Sequence, residues 1–398
     1  MSDTWNKRTK LVHGGIRRSQ YNEVSEAIFL TQGFVYDSAE QAEARFIGAG
    51  PDEFIYARYG NPTVAMFEER IAALEGAEDA FATASGMAAV NAALTAMLKA
   101  GDHVVAARAL FGSCLYILEE VLPRFGVEVT LVDGTDLAQW KAALRPGTRA
   151  VFFESTSNPT LEIIDIRAVA DLAHAVGATV IIDNVFATPV FSRAIDLGAD
   201  VVIYSATKHI DGQGRVLGGV ILGTREYIRK TVEPYMKHTG GAMSPFTAWV
   251  LLKGLETMDL RVRAQAASAL ALAEALQGHA KLARVIYPGH PSHAQHDLCT
   301  AQTGQGGTVL SLDLAGAESR RFNQHVDHGH HDLGFLLAGG IQQRQHARAQ
   351  GEQENDFRQP ATQRVVHDAV DRVADGAAVA TFLNVRHSRF RAGFRSWR

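Results

Sequence analysis

Three features of the amino-acid sequence predict an α/β protein built on a mainly parallel, doubly wound sheet. Short β-branched runs recur with amphipathic helical patterns between them. The runs are apolar throughout rather than alternating, and polar residues of chemical interest stand just past their carboxyl ends. Strands of that composition are buried on both faces, as parallel strands covered by crossover helices must be. In such open sheets ligands bind beyond the carboxyl ends of the strands.

Residues 1–62 are polar and aromatic by turns, show no clean periodicity and read as an extended N-terminal arm that needs another surface to pack on. The arm ends in Tyr56-Ala57-Arg58-Tyr59-Gly60-Asn61-Pro62-Thr63, where Pro62 restricts Asn61 and a helix can begin. Tyr56 and Arg58, two apart on an extended segment, point to the same side and suit the grip of a phosphate, although a packed Tyr beside a surface Arg is the commoner arrangement. Helical spacing over 63–75 and 86–99 encloses the small-residue turn Ala82–Met87. A turn that opens a helix exposes backbone N–H groups able to bind phosphate, though most such turns simply start helices.

Strands are then expected at Val104–Ala107, Val127–Val132, Ala150–Phe153, 179–182 and 201–204. A helix through Leu115, Leu118 and Val121 follows the first, and Asp165 caps another that carries Val169, Leu172 and Val176 and stops at Gly177. A long helical pattern from Phe246 to Gln277 leads to a smaller α+β domain, in which Thr308–Leu314 alternates as a half-buried strand. The expected divisions are the arm, 1–62, an α/β domain, 63–260, and a C-terminal domain, 261–398.

At 398 residues the chain can bury sizeable cores, and 46% hydrophobic with 21% charged residues is ordinary for a globular protein. A net charge of -4 gives no footprint for nucleic acid or an anionic membrane surface. The polar start Met1–Arg8 has no signal-peptide core, and no apolar run reaches about eighteen residues, so a cytoplasmic protein is expected. Cys114 and Cys299 stand far apart without CxxC spacing, which supports neither a disulfide framework nor a thiolate zinc site.

The chemistry gathers at Ser205-Ala206-Thr207-Lys208-His209, which follows the run Val201–Tyr204 and precedes a turn rich in glycine: Gly212, Gly214, Gly218 and Gly219. Upstream, Thr179–Ile182 ends in Asp183. A lysine or an aspartate after a strand is by itself usually a loop or turn residue. Together, with hydroxyls flanking the lysine, they match what pyridoxal phosphate needs: an amine for covalent attachment, hydroxyls for the phosphate, and a buried carboxylate that keeps the ring nitrogen protonated.

These residues resemble the Cys/Met-metabolism pyridoxal-phosphate enzymes, of fold type I. The resemblance spans roughly residues 8–318 and rests on Tyr56–Thr63, Ser85-Gly86-Met87, Ser157-Asn158-Pro159, Asp183–Pro189 and Ser205–Lys208. It implies that Lys208 attaches pyridoxal 5′-phosphate and acts as the catalytic base, with Asp183 against the ring nitrogen. Gly86, Met87, Ser205 and Thr207 would hold the phosphate, and Asn158 would meet the ring's phenolic oxygen. Tyr56 and Arg58 would reach the phosphate of a neighbouring subunit, in a homotetramer assembled as a dimer of dimers. Where related γ-synthases and γ-lyases stack a tyrosine on the cofactor, this chain has Phe111, as in the branch of sulfhydrylases that act on the succinyl ester of homoserine; His238–Phe246 also looks like that branch.

The implied reaction is γ-replacement of the ester by sulfide to give homocysteine for methionine synthesis. The alternatives are a cystathionine γ-synthase, which takes cysteine as nucleophile, a γ-lyase, disfavoured by Phe111, or a relative that binds the cofactor without turnover. A nicotinamide dehydrogenase is disfavoured because no G-x-G-x-x-G follows the first strand. The cluster His325, His328, His330 and His331 lacks a predicted element to fix it, and no metal site is assigned.

Residues 320–398 depart from the family pattern. They hold 7 of the 16 histidines and 12 arginines but no lysine, whereas the first 319 residues hold 9 lysines. Gln342–Gln350 cannot supply an apolar helix face. The family's substrate-carboxylate arginine, in a motif like Arg-x-Ser-Val-Gly-x-Glu, is not found, and none is assigned. The expectation is a frameshift near residue 319, in the gene or its reading, with a divergent domain or a disordered tail as the alternative. A Ser-Val-Gly-type motif is therefore expected in another frame past codon 319; its absence from both removes the frameshift.

Overall fold

The computed structural model describes residues 4–314, apart from residue 51, together with a two-residue strand at Leu336–Leu337. The expectations placed on residues 320–398, including the His325–His331 cluster, otherwise lie outside the described residues. Seven strands form the main sheet: β1 (Asp79–Thr83), β2 (His103–Ala107), β3 (Glu128–Val132), β4 (Thr148–Glu154), β5 (Thr179–Asp183), β6 (Val201–Tyr204) and β7 (Gly219–Gly223). Their spatial order is β1-β7-β6-β5-β4-β2-β3. Strands β6, β5, β4, β2 and β3 run parallel, and β7 is antiparallel to both of its neighbours, β6 and β1.

The apolar runs form strands because both faces are covered. Along β2, β4, β5 and β6, Val105, Val151, Val180 and Val202 enter one core with the helices Pro62–Glu75, Ile166–His174 and Pro245–Glu256. Their neighbours Val104, Ala150, Ile181 and Val201 enter a second core with the helix Gly86–Thr95. The side-chain period of two thus supplies both layers from one run of residues. A second sheet, β8 (Leu282–Ile286), β9 (Val309–Leu314) and β10 (Leu336–Leu337), is antiparallel and packs on the helix Met258–Leu276 through Leu272, Leu276 and Leu310. Among the described residues no helix is long and apolar enough to cross a membrane.

The structure corrects the sequence reading at four points. The arm is not extended throughout, since Lys7–His13 and Ala39–Gly48 are helices, started where Asn6 and Ser38 side chains accept the Thr9 and Gln41 N–H groups. β1 and β7 lie where only small-residue and glycine turns were expected. The second expected helix ends at Thr95. The long helix breaks at Thr257 (φ -108°, ψ 1°) into Pro245–Glu256 and Met258–Leu276, because Arg261 collects the Gly254, His209 and Ile210 carbonyls at 2.8, 2.9 and 3.3 Å.

A buried ion cluster fastens the arm. Arg70, fully buried in the helix Pro62–Glu75, donates to the Gly14 carbonyl at 2.7 Å and pairs with Glu26, whose other oxygen meets Lys253. Burial opposes the Glu26 charge, yet the Lys253 and Arg70 hydrogen bonds win and hold its carboxyl down at about 2. Glu26→Gln leaves Arg70 buried without its counter-charge and is expected to cost about 3–5 kcal/mol in urea unfolding at pH 7. A depressed carboxyl contributes stability above its unfolded pKa and loses it as pH falls toward 2, so the wild-type advantage should vanish over that window. A gap between the two proteins that stays constant from pH 7 to pH 2 would refute this role.

Candidate active site

The carboxyl ends of β4, β5 and β6 stand side by side, and the chain beyond them forms one edge of the sheet. Asp183 closes β5, in register with Glu154 of β4 on one side and Ile203 of β6 on the other. β6 runs into the turn that carries Lys208. Tyr204 and Ala206 are buried while Lys208 is exposed, so the lysine stands on an apolar root. Asn158 lies just beyond β4, joined to Pro159 by a cis peptide bond.

Asp183 Oδ1 accepts the Val185 N–H at 3.0 Å. Burial pushes its carboxyl up, against the pull of that N–H and of the Lys208 ammonium. Glu154, buried beside it, is pushed up by its own burial and by the Asp183 charge. The Cys114 thiol, within 4.8 Å of both carboxylates, is pushed up by burial and then by their charge, so it is a neutral wall. A pair of recessed carboxylates with so little local compensation favours a cation placed against it.

At the other end the helix Gly86–Thr95 begins. Ser85 caps it, its hydroxyl accepting the Ala88 N–H at 3.1 Å, while the first-turn N–H groups of Gly86 and Met87 have no acceptor within the helix. Gly86 presses against Ser205 so closely that a Cβ there would lie 2.7 Å from the Ser205 Oγ. Thr207 Oγ1 accepts the Gly218 N–H at 3.0 Å and donates to the Gly218 carbonyl at 3.2 Å. The N–H contact holds the hydroxyl in place, and the longer donor bond can be exchanged for an anion. The N–H groups at a helix N-terminus thus meet the Ser205 hydroxyl, with the Thr207 hydroxyl two residues on, a set of groups able to bind phosphate. With the carboxylates of Asp183 and Glu154 and an exposed lysine amine on the same edge, the residues present fit pyridoxal phosphate.

Phe111 opens the helix Gly112–Tyr116 and is 45% exposed, free to offer a ring face. Tyr56 and Arg58 are placed differently from the expectation of an extended segment. Tyr59 and Gly60 N–H groups both bond to the Tyr56 carbonyl, which makes the segment a turn. The Arg58 guanidinium stacks over the Tyr56 and Tyr59 rings at 5.3 and 5.0 Å. No hydrogen bond or ring contact among the described residues joins this pair to Asp183, Ser205 or Lys208.

Two site residues escaped the sequence reading. Glu154 was visible only as an acid after an apolar run, and its partners are backbone N–H groups that leave no mark in sequence. His209 is the other. Its Nδ1 meets the Val185 carbonyl at 3.1 Å and its Nε2 the Thr308 Oγ1 at 2.7 Å. Burial and then the Arg261 charge push the imidazole down to about 4. The ring is therefore neutral near pH 7, donates from Nδ1 to the carbonyl and accepts the threonine hydroxyl at Nε2. This bond ties the lysine turn to the chain entering β9.

Residues 8–331 match the family model described as "Cys/Met metabolism PLP-dependent enzyme". O-succinylhomoserine sulfhydrylase of Mycobacterium tuberculosis is 56% identical over 314 residues, covering 79% of this chain and 77% of that one. O-succinylhomoserine sulfhydrylase of Pseudomonas aeruginosa is 48% identical over 308 residues, covering 77% and 76%. In three dimensions the chain is similar to a putative O-acetylhomoserine (thiol)-lyase of Campylobacter jejuni, with a TM-score of 0.76, 27% identity and coverage of 78% and 86%. That structure holds N'-pyridoxyl-lysine-5'-monophosphate.

Proposed function

Since the chain belongs to the family of Cys/Met metabolism PLP-dependent enzymes, we propose that it forms L-homocysteine from O-succinyl-L-homoserine and hydrogen sulfide, releasing succinate. Its cofactor is pyridoxal 5′-phosphate. The observation that carries the substrate assignment is the 56% identity over 77% of a relative named O-succinylhomoserine sulfhydrylase. Phe111 supports it, because this position keeps an aromatic face and lacks the phenol that related γ-synthases and γ-lyases carry.

Bound pyridoxal phosphate draws electron density from the substrate's Cα, which makes its hydrogen acidic enough to remove. The Gly86 and Met87 N–H groups, with the Ser205 and Thr207 hydroxyls, would hold the phosphate. Asp183 would set a negative charge against the ring nitrogen. Phe111 would cover a ring face and Asn158 would meet the phenolic oxygen. Lys208 Nζ would hold the cofactor and, when free, would be the base that takes a proton from the substrate's Cα and then one from Cβ and returns them to carbon as sulfur replaces succinate on Cγ. The turn around Lys208, tied through Thr207 to Gly218 and through His209 to Thr308, fixes where this proton carrier can reach.

Four assays decide the substrates: succinyl and acetyl esters of homoserine, each with sulfide and with cysteine. Homocysteine from the succinyl ester and sulfide, with the highest kcat/KM of the four, is the expected result. A preference for cysteine identifies a cystathionine γ-synthase instead, and no turnover by the cofactor-loaded protein overturns the enzymatic reading.

Tyr56 and Arg58 are assigned to the phosphate of a neighbouring subunit in a homotetramer; in support, no hydrogen bond or ring contact among the described residues joins either to Asp183, Ser205 or Lys208. Arg58→Ala and Lys208→Ala are each expected to be inactive alone. Mixed and reassembled, they should regain activity, because a hybrid pair holds one site with both groups intact. Verified hybrids without activity would show that the site is not shared.

A further inference from the structure

Glu154 is buried and has no cationic partner among the described residues, an arrangement that is unfavourable unless hydrogen bonds offset it. Its two oxygens are used separately. Oε1 accepts the Phe111 N–H at 2.7 Å, and Oε2 accepts the Asn158 N–H at 2.8 Å. The two donors belong to different loops, one following β2 and the other following β4, and these strands are neighbours in the sheet. Phe111 makes no side-chain cap bond, and nearly half of it is exposed. Its carbonyl accepts the Cys114 and Leu115 N–H groups of its own helix, and the bond from its N–H to Glu154 is what ties that helix start to the end of β4.

A glutamine at 154 would have one oxygen to accept and one NH2 turned toward an N–H donor, so it could hold only one loop. An aspartate would keep the charge and lose a methylene of reach. Only a glutamate spans both donors from the end of β4.

We propose that Glu154 is a positioning residue for the cofactor ring: one carboxylate fixes the loop that brings Phe111 to the ring face and the loop that brings Asn158 to the ring edge. This rests on the roles assigned to Phe111 and Asn158 above. Its consequence is a coupling, since the two loops move together when the carboxylate is lost.

The test is a thermodynamic cycle on the full-length chain. Cofactor-free Glu154→Gln, Phe111→Ala/Asn158→Ala and the triple variant are titrated with pyridoxal phosphate, following the absorbance and the circular dichroism of the bound cofactor. Loss of one charge-assisted hydrogen bond predicts about tenfold weaker cofactor binding for Glu154→Gln, with reduced dichroism. In the Phe111→Ala/Asn158→Ala background the same change should cost less than about twofold, because a residue that acts through others is non-additive with them. An equal loss in both backgrounds overturns the positioning role while leaving the ring contacts standing. If Phe111→Ala/Asn158→Ala binds as the wild type does, the ring contacts and the positioning role fall together. Glu154→Asp is expected to follow Glu154→Gln, and it carries the same cycle if the glutamine variant does not fold; full recovery by aspartate would show that charge alone matters and overturn the proposal.

Discussion

At two places the backbone beyond β1 touches the rest of the sheet so closely that only glycine fits. A Cβ on Gly219, the first residue of β7, would lie 2.2 Å from the Ser85 carbonyl oxygen, and one on Gly86 would lie 2.7 Å from Ser205. These contacts press the helix N-terminus onto the turn that carries Lys208. The N–H groups that open the helix are thereby set directly against Ser205, three residues before Lys208. A methyl group at either place would have to drive the two apart by about an ångström, the scale on which site geometry is lost. The fold elsewhere can yield in small ways, but this spacing is set by atoms in contact.

The second governing fact is electrostatic. Asp183 and Glu154 end adjacent strands in register, both recessed, beside a thiol held neutral. Like charges at such range disfavour each other, and the fold supplies backbone N–H groups rather than a guanidinium to support them. A buried arginine does occur in this chain, but it serves Glu26 and the N-terminal arm. Negative charge at the strand ends is left available to a cationic ring, while charge in the arm is neutralised by the protein itself.

The parallel half of the main sheet was legible in sequence because strands covered on both faces read as unbroken apolar runs. Asn158, Asp183 and Lys208 were legible with it, as polar residues at or just past the carboxyl ends of those runs. β1 and β7 were not legible. Asp79–Thr83 is mostly small residues, and Gly219–Gly223 is framed by glycines that serve close packing, although glycine in sequence signals a turn. The short helices of the arm depend on single capping side chains, Asn6 and Ser38, too local to give a period. The turn at Tyr56 and the clamp by Glu154 are written in backbone hydrogen bonds, to which sequence composition is blind. The break at Thr257 is a tertiary effect of Arg261 reaching carbonyls on the lysine turn.

The place of β7 bears on when the site can come into being. It is the last strand of the main sheet to be synthesised, yet it lies between β1, the first, and β6. As the chain emerges from its amino end, β2 to β6 can pair among themselves, but β1 and the helix after it have no strand to join until Gly223 has been made. Until then β6 is an open edge, an invitation to wrong pairing that ends only when the hairpin closes upon it. The helix Gly86–Thr95, whose N-terminus meets Ser205, rides on the segment that docks last. A half-made chain therefore presents the lysine turn before the helix Gly86–Thr95 can be seated against it.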